Sequence, residues 1–302
     1  MVDVTVIICT YNSSKTISRT LDSVFAQKGL NEKFQFQVIV VDDCSKDNTI
    51  EIVGKYTVQV FQNEANSGGP NKGRNLALKH SKGEYITFID HDDEWLVNKI
   101  ASQLEVVTDE KVITSGYIDF ELQTGSKRTI SNFSPTGSIR YDRNVTFLQK
   151  LSRAKKSQKT YFGSIMIHAS LKDILFEEEY GMVDYDWVLS VCENQKTLEI
   201  SEPLFVRYVE TANLSLNEKY RINDLKISSE KIKSYYSKYP KESSIGLKRL
   251  NSSMGRYYYL VGEVEKARSY FLNGEFTCVT VLYFLTSFIG RKFVVKNFKV
   301  FG

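Results

Sequence analysis

Apolar and polar positions change over in blocks along the first two hundred residues. Val4 to Cys9 is an apolar, β-branched run that stops at Thr10-Tyr11-Asn12, after which Ile17, Leu21, Val24 and Phe25 recur at helical spacing. That order predicts a strand, a polar loop and a helix, with Ser13 or Ser14 as the helix cap. The unit recurs. Phe36 to Val41 runs into Asp42-Asp43-Cys44-Ser45, and a helix beginning near Asp47 carries Ile50 and Val53. Val58 to Phe61 predicts a third strand, Gly73 to His80 a helix, and Tyr85 to Ile89 a fourth strand ending in Asp90-His91-Asp92-Asp93. Buried-type strands alternating with helices mean βαβ units and a parallel sheet covered on both faces.

Residues 111 to 210 mix strands (Lys111 to Tyr117, Tyr161 to His168, Leu198 to Ile200, Leu204 to Tyr208) with short helices, and no linker interrupts them. The sheet is expected to continue there. From about Lys219 the pattern turns helical, through Ile222, Leu225, Ile227 and Ile232. Leu247 to Val261 and Glu263 to Leu272 then form an antiparallel pair about Gly262. This pair is similar to one tetratricopeptide-type hairpin, but a solenoid needs several repeats, so it reads as a helical cap. The expected division is an α/β domain over 1–215, a helical cap over 216–275 and a tail over 276–302.

Composition narrows the class. The 302 residues are 42% apolar and 25% charged, ordinary values for a globular chain. No run reaches the roughly 20 apolar residues that span a bilayer, which excludes a polytopic membrane protein. The N-terminus, MVDVTVIICTYN, has no basic n-region and no cleavage site, so it does not read as a secretory signal. Cys9, Cys44, Cys192 and Cys278 form no CxxC pair, which suits reduced thiols in a cytosolic protein and argues against zinc. The net charge of +4 sits wholly in the tail, where Arg291, Lys292, Lys296 and Lys299 meet no acid. Nucleic acid needs a broader basic face; an anionic surface does not.

The polar residues gather at the carboxyl ends of successive strands, at Thr10 to Asn12, Asp42 to Ser45 and Asp90 to Asp93. In open α/β sheets that edge binds ligands. Asp, Asn and Ser also make turns and caps, but three strand ends bearing the same kind of loop favour a site. Nothing resembling GxGxxG or a P-loop follows the first strand. Asp90-His91-Asp92 offers another way to handle phosphate: residues i and i+2 of a strand point to one side. Two carboxylates there can share a Mg²⁺ or Mn²⁺ that also takes substrate phosphate oxygens.

Four ordered blocks, VTVIICTYNSSKTISRTLDSVFAQ, VIVVDDCSKDNTIEIV, NSGGPNKGRNLALKHSKGEYITFIDHDDEW and, more loosely, GMVDYDWVL, resemble the inverting, nucleotide-sugar-dependent glycosyltransferases of family 2, of the bacterial surface-polysaccharide type. The resemblance covers about the first 210 residues. It implies a GT-A fold, a Rossmann-like mixed sheet, followed here by the helical extension. It further implies that Thr10 and Tyr11 line the base pocket, that Asp43 accepts a hydrogen bond from uracil, and that Asp42 supports the loop. Arg74 would lie close to the ribose or diphosphate, Asp90 would contact the ribose and the metal shell, Asp92 would ligate Mn²⁺ or Mg²⁺, and His91 would face solvent. Asp184 in VDYDW matches the family's general base, with Asp186 as competitor and helix capping as the alternative role for both. Two departures stand out: Val183 replaces the family's usual Glu, and no His follows Arg207 within Tyr208, Val209 and Glu210.

The implied activity is transfer of a sugar from a nucleotide-diphosphate donor of the UDP class to a hydroxyl of a glycan or lipid-linked acceptor. A glycoside hydrolase using Asp184 and Asp186 would leave the other strand-end acids unexplained. A non-catalytic sugar-nucleotide-binding or partner-binding module of the same fold is the alternative. The uncharged run Phe276 to Gly290 is too short to cross a bilayer. Beyond it Lys292, Lys296 and Lys299 fall on one side of a helix, with Val294, Phe298 and Phe301 on the other. That pattern predicts a basic amphipathic helix and a cytoplasmic protein held peripherally at the inner face of the cell membrane.

Overall fold

The computed structural model describes residues 1–181, 183–209 and 218–289. Its contacts divide the chain into two units, 1–147 with 158–221, and 148–157 with 222–302.

The first unit begins with β1 (Val2–Thr10), α1 (Ile17–Phe25), β2 (Phe34–Asp42), α2 (Thr49–Val53), β3 (Gln59–Gln62), α3 (Asn71–His80) and β4 (Tyr85–Phe88). β1 lies parallel to β2 and to β4, and β3 extends the sheet beyond β2. Ile17, Leu21 and Val24, one face of α1, are buried in a cluster with Val4, Val6 and Ile8 of β1 and with Val38 and Val40 of β2. Each such side chain contributes about 2 kcal/mol on leaving water. The predicted caps differ from the structure: α1 starts after Thr16, which makes no side-chain cap bond, and the Ser13 hydroxyl is instead engaged with Thr10.

The chain continues through β5 (Glu94–Trp95), α4 (Lys99–Val106), β6 (Val112–Glu121), β7 (Lys127–Ile130), β8 (Ser138–Tyr141), α5 (Val145–Leu151), β9 (Met166–His168), α6 (Tyr185–Cys192) and β10 (Thr197–Val209). Strand order is β3-β2-β1-β4-β9-β6-β10-β5, with β7 on β6 and β8 on β10. β9 runs antiparallel to both β4 and β6, so the sheet is mixed rather than wholly parallel. The strand expected over Tyr161 to His168 is confined to its last three residues, after a 3₁₀ turn at Phe162–Ser164 where Gly163 passes close to the Phe205 ring. The two runs Leu198 to Ile200 and Leu204 to Tyr208 are one strand, whose register shifts on either side of Pro203. Proline has no N–H to continue the ladder.

In the second unit α8 (Pro240–Val261) and α9 (Val264–Leu272) follow α7 (Glu218–Ser234), which starts in the first unit, and α10 (Cys278–Thr286) comes last. α8 ends at Gly262, left-handed at φ 98°, whose N–H donates back to the Tyr258 carbonyl at 3.1 Å. Met254, Tyr258, Tyr259, Ala267, Phe271 and Tyr283 form a separate core. Residues 148–157 belong here because Gly246 leaves no Cβ between α8 and the Leu151 carbonyl, and Arg249 donates to the Ser152 carbonyl at 3.0 Å. Among the described residues no helix is long and apolar enough to cross a membrane. The basic helix predicted over Lys292 to Phe301 lies outside the described residues.

One core residue of the first unit is a fully buried lysine. Lys99 donates to Gln103 Oε1 at 2.9 Å and to Thr87 Oγ1 at 3.2 Å, with its ammonium 4.4 Å from the Trp95 ring. Burial pulls its pKa down to about 7, against ~10.4 in an unfolded chain. Between those values the unfolded state binds the extra proton, so unfolding free energy rises with pH from about 7 toward 10. Urea denaturation across that range should show the rise, and Lys99→Met should flatten it.

Candidate active site

Parallel pairing sets the site. Thr10 lies opposite Asp42 and Ile7 opposite Phe88, so the loops after β1, β2 and β4 open on the same edge of the sheet. The first two loops are tied together. Asn12, left-handed at φ 48°, takes a hydrogen bond from Lys46 N to its side chain at 2.8 Å and donates its own N–H to Ser45 Oγ at 2.9 Å. Asp42 is buried, accepting from Ser45 N and Gln62 Nε2, both at 3.0 Å. The Asp43 carboxylate accepts from Asn63 Nδ2 at 2.6 Å and from Ser67 N at 3.0 Å. A carboxylate has about four acceptor positions, so Asp43 keeps room for one more donor on its cleft side.

α3 supplies the opposite wall through residues at i, i+3 and i+4. Asn71 Nδ2 donates to the carbonyls of Glu177 and Val183 at 2.8 and 2.9 Å, and Asn75 exchanges two hydrogen bonds with the Phe176 backbone. Between them Arg74 is 5% exposed, which rules out a surface role. Its guanidinium lies 3.7 Å from the Phe162 ring centre and reaches Asp90 Oδ1 at 3.2 Å. Phe176 stacks on Trp187 of α6 at 4.4 Å, and that indole donates to the Ile174 carbonyl. α6 is thereby anchored with Asp184 as the residue before its first turn. Asp184 makes no capping hydrogen bond to the helix.

The 90–93 loop is held from behind by α1. Arg19 donates to the Asp92 carbonyl while lying 3.7 Å over the Tyr208 ring, and Thr20 donates to the Asp93 carbonyl at 2.7 Å. Burial, and then the charge of Asp90, push the Asp92 carboxyl up against the opposing pull of His91. Asp93 is raised further by burial and by Asp90 and Asp92. Its Oδ1 accepts from Tyr208 N at 3.2 Å, while Oδ2 is buried without a partner. Asp90 and Asp92, two carboxyls two residues apart on the cleft lining, have the chemistry that a hard cation with water and phosphate ligands takes from a protein. Asp92 and Asp90 would hold it. Among the described residues no group of three or more His, Cys, Asp or Glu side chains is placed to hold a metal ion.

These walls enclose a cleft of about 550 Å³, within the range of small-ligand sites. It is lined by Thr10, Tyr11 and Asp43 from the first two loops, by Arg74, Asp90 and Asp92, and by Asp184. Asp186 falls inside the first turn of α6 and is not on the lining. His91, expected to face solvent, is half-buried on the cleft wall with Nδ1 lacking a partner. Tyr161, Phe162, Arg207, Tyr208 and Tyr220 also line it, and the sequence reading does not place them there. Arg207 is paired with Asp119 at 3.5 Å and set 4.9 Å from the Tyr161 ring centre. Aromatic and basic residues this far along the chain carry no local signal of a shared cleft.

Residues 5–175 match the family model described as glycosyl transferase family 2. The chain belongs to that family. The poly(ribitol-phosphate) β-N-acetylglucosaminyltransferase TarS of Staphylococcus aureus is 48% identical over 97 residues, 31% of this chain but only 17% of that protein. The UDP-Glc:α-D-GlcNAc-diphosphoundecaprenol β-1,3-glucosyltransferase WfaP of Escherichia coli is 26% identical over 270 residues, 87% of this chain and 94% of the relative. In structure, residues 1–349 of TarS in complex with UDP-GlcNAc superpose with a TM-score of 0.61 at 22% identity, covering 90% of this chain and 79% of that one. The mannosyltransferase PcManGT of Pyrobaculum calidifontis, in complex with GDP-Man and Mn²⁺, gives 0.61 at 15% identity over 99% and 81%. The fold of this family member is accordingly GT-A.

Arg74 is the cation on which these walls meet. Replacing it with Lys keeps the charge but loses the planar stack on Phe162 and the fork toward Asn71 and Asp90. Arg74→Lys should lower unfolding free energy by about 1 kcal/mol and Arg74→Met by about 2 kcal/mol, read by urea denaturation.

Proposed function

We propose that this chain is a metal-dependent inverting glycosyltransferase that moves a sugar from a UDP-sugar to a hydroxyl of a glycan or lipid-linked acceptor in cell-surface polysaccharide synthesis. The observation that carries the reading is the meeting of Asp43, Asp90, Asp92 and Asp184 with Arg74 around one cleft. TarS, bound to UDP-GlcNAc in its crystal structure, and WfaP, named for a UDP-Glc donor and a diphosphoundecaprenol-linked acceptor, support the donor and acceptor classes. Such an acceptor also supports placement at the cytoplasmic face of the membrane.

In this reading Asp43 accepts from the uracil ring and Tyr11, 44% exposed at the cleft mouth, covers it. Thr10 shapes the pocket floor. Arg74 counters charge near the ribose and diphosphate. Asp92 and Asp90 would hold Mn²⁺ or Mg²⁺, which when bound would supply charge compensation to the departing diphosphate. Asp184 takes the proton from the acceptor hydroxyl as its oxygen attacks the anomeric carbon. The bond to the UDP oxygen breaks on the opposite face, UDP leaves, and the anomeric configuration inverts. Val183, where the family usually has Glu, contributes its backbone carbonyl to Asn71, so the base loop is positioned through the main chain.

UDP release from UDP-Glc and UDP-GlcNAc, with and without EDTA, tests the reading. Loss of turnover with chelator is expected, and turnover unchanged by chelator would remove the metal from the proposal. Asp92→Ala should abolish turnover and metal-dependent donor binding while melting no earlier than wild type, since it relieves a crowded carboxyl. Asp184→Asn should keep donor affinity and lose roughly 10² or more in kcat; the same loss from Asp186→Asn alone would move the base. For Asp43→Ala a rise in donor KM larger than the fall in kcat is expected, the signature of binding shared by ground and transition states.

A further inference from the structure

Outside the cleft, the second unit carries a feature that sugar transfer does not use. α10 buries Thr280 and Tyr283 against α8 and α9, while Val279, Leu282 and Leu285, at i, i+3 and i+6, stand 50%, 44% and 55% exposed on the other side. Phe276 precedes them and Phe288 and Ile289 follow, all three more exposed still. Large contiguous apolar surfaces are uncommon on soluble monomers and mark interaction sites. Arg268 flanks this face, its guanidinium 4.0 Å from the Phe288 ring centre and donating to the Ser287 carbonyl at 2.6 Å.

Charge selects the partner. Residues 148–157 and 222–302 hold 18 basic and 6 acidic side chains, a net +12, whereas the first unit holds 22 and 30, a net −8. Four of those 18, Arg291, Lys292, Lys296 and Lys299, follow Ile289 with no acid among them. A second copy brought against the same face would set two strongly positive units together. An anionic surface with an apolar interior satisfies both properties at once. At ~1.5 Å per residue the nine residues of α10 extend about 14 Å, far short of the roughly 30 Å hydrocarbon layer, so the helix would lie in the interface plane.

We infer that the exposed apolar face of α10 docks the second unit onto an anionic lipid bilayer, with Val279, Leu282 and Leu285 entering the headgroup boundary and the basic excess of the unit facing the lipid phosphates. This docking is independent of the chemistry proposed for the acidic cleft.

Co-sedimentation of the full chain with vesicles of phosphatidylcholine alone, or mixed with phosphatidylglycerol, tests it without any sugar nucleotide. Wild type should partition onto the anionic vesicles at least tenfold more strongly than onto the neutral ones, and added salt should weaken it. Leu282→Glu with Leu285→Glu should lose at least tenfold of that partitioning while keeping the wild-type circular dichroism and melting temperature. If that pair melts early, Leu282→Ser with Leu285→Ser is read instead, with the same direction of effect expected. Equal partitioning of wild type onto both vesicle types would overturn the proposal. So would partitioning that inorganic polyphosphate abolishes but the leucine substitutions leave unchanged, which would assign the effect to charge alone. A wild-type dimer in gel filtration that the leucine substitutions dissociate would give the face to a second copy and would likewise reject the bilayer.

Discussion

Everything in the cleft depends on the parallel pairing of β1 with β2 on one side and β4 on the other. Parallel ladders force each crossover back through a helix, so β1, β2 and β4 end on the same edge. Three loops of short polar residues are thereby collected without any of them being long. Asp43 N–H donating to the Thr10 carbonyl and Ile89 N–H to Ile7 carry that register into the loops themselves.

Collecting acids has an electrostatic consequence that the surrounding residues manage. Burial pushes the Asp92 and Asp93 carboxyls up, and the charge of Asp90 adds to both. Within the fold the opposing charges are Arg74 on Asp90, Arg19 behind the loop and Arg207 toward Asp93. Arg74 is itself held by aromatic faces and by Asn71, so the positive charge is placed by packing and not by a flexible chain. Such preorganised charge retains its value in a partly desolvated cleft better than in water.

The two units differ in kind. The first is acidic and encloses a polar cleft; the second is basic, small and built on tyrosines and phenylalanines. In the second, Gly255 brings α8 against the Phe271 ring so closely that a Cβ would sit 2.5 Å from it, which makes the hairpin tight and leaves α10 with one face inward and one outward. A net charge of +4 for the whole chain conceals this separation.

Strand and helix order, the acidic strand ends and the block pattern of the family were legible in the residues themselves, because apolar periodicity and turn chemistry are local properties of a chain. So was the Gly262 hairpin, since a left-handed helix end favours glycine. The antiparallel insertion of β9 was not, because three residues carry no direction and only their neighbours β4 and β6 supply one. Nor was the joining of Leu198 to Ile200 with Leu204 to Tyr208, where β8 and β5 hold the two ends of β10 in one line. Local spacing could set Asp184 and Asp186 beside each other but could not choose between them. Trp187 docking on Phe176 fixes how α6 enters, and that puts Asp184 on the cleft wall and Asp186 off it. Tyr161, Arg207, Tyr208 and Tyr220 lie far along the chain from the first strand ends, and only tertiary packing brings them to the same cavity, because adjacency in space across a sheet leaves no periodic mark along the sequence.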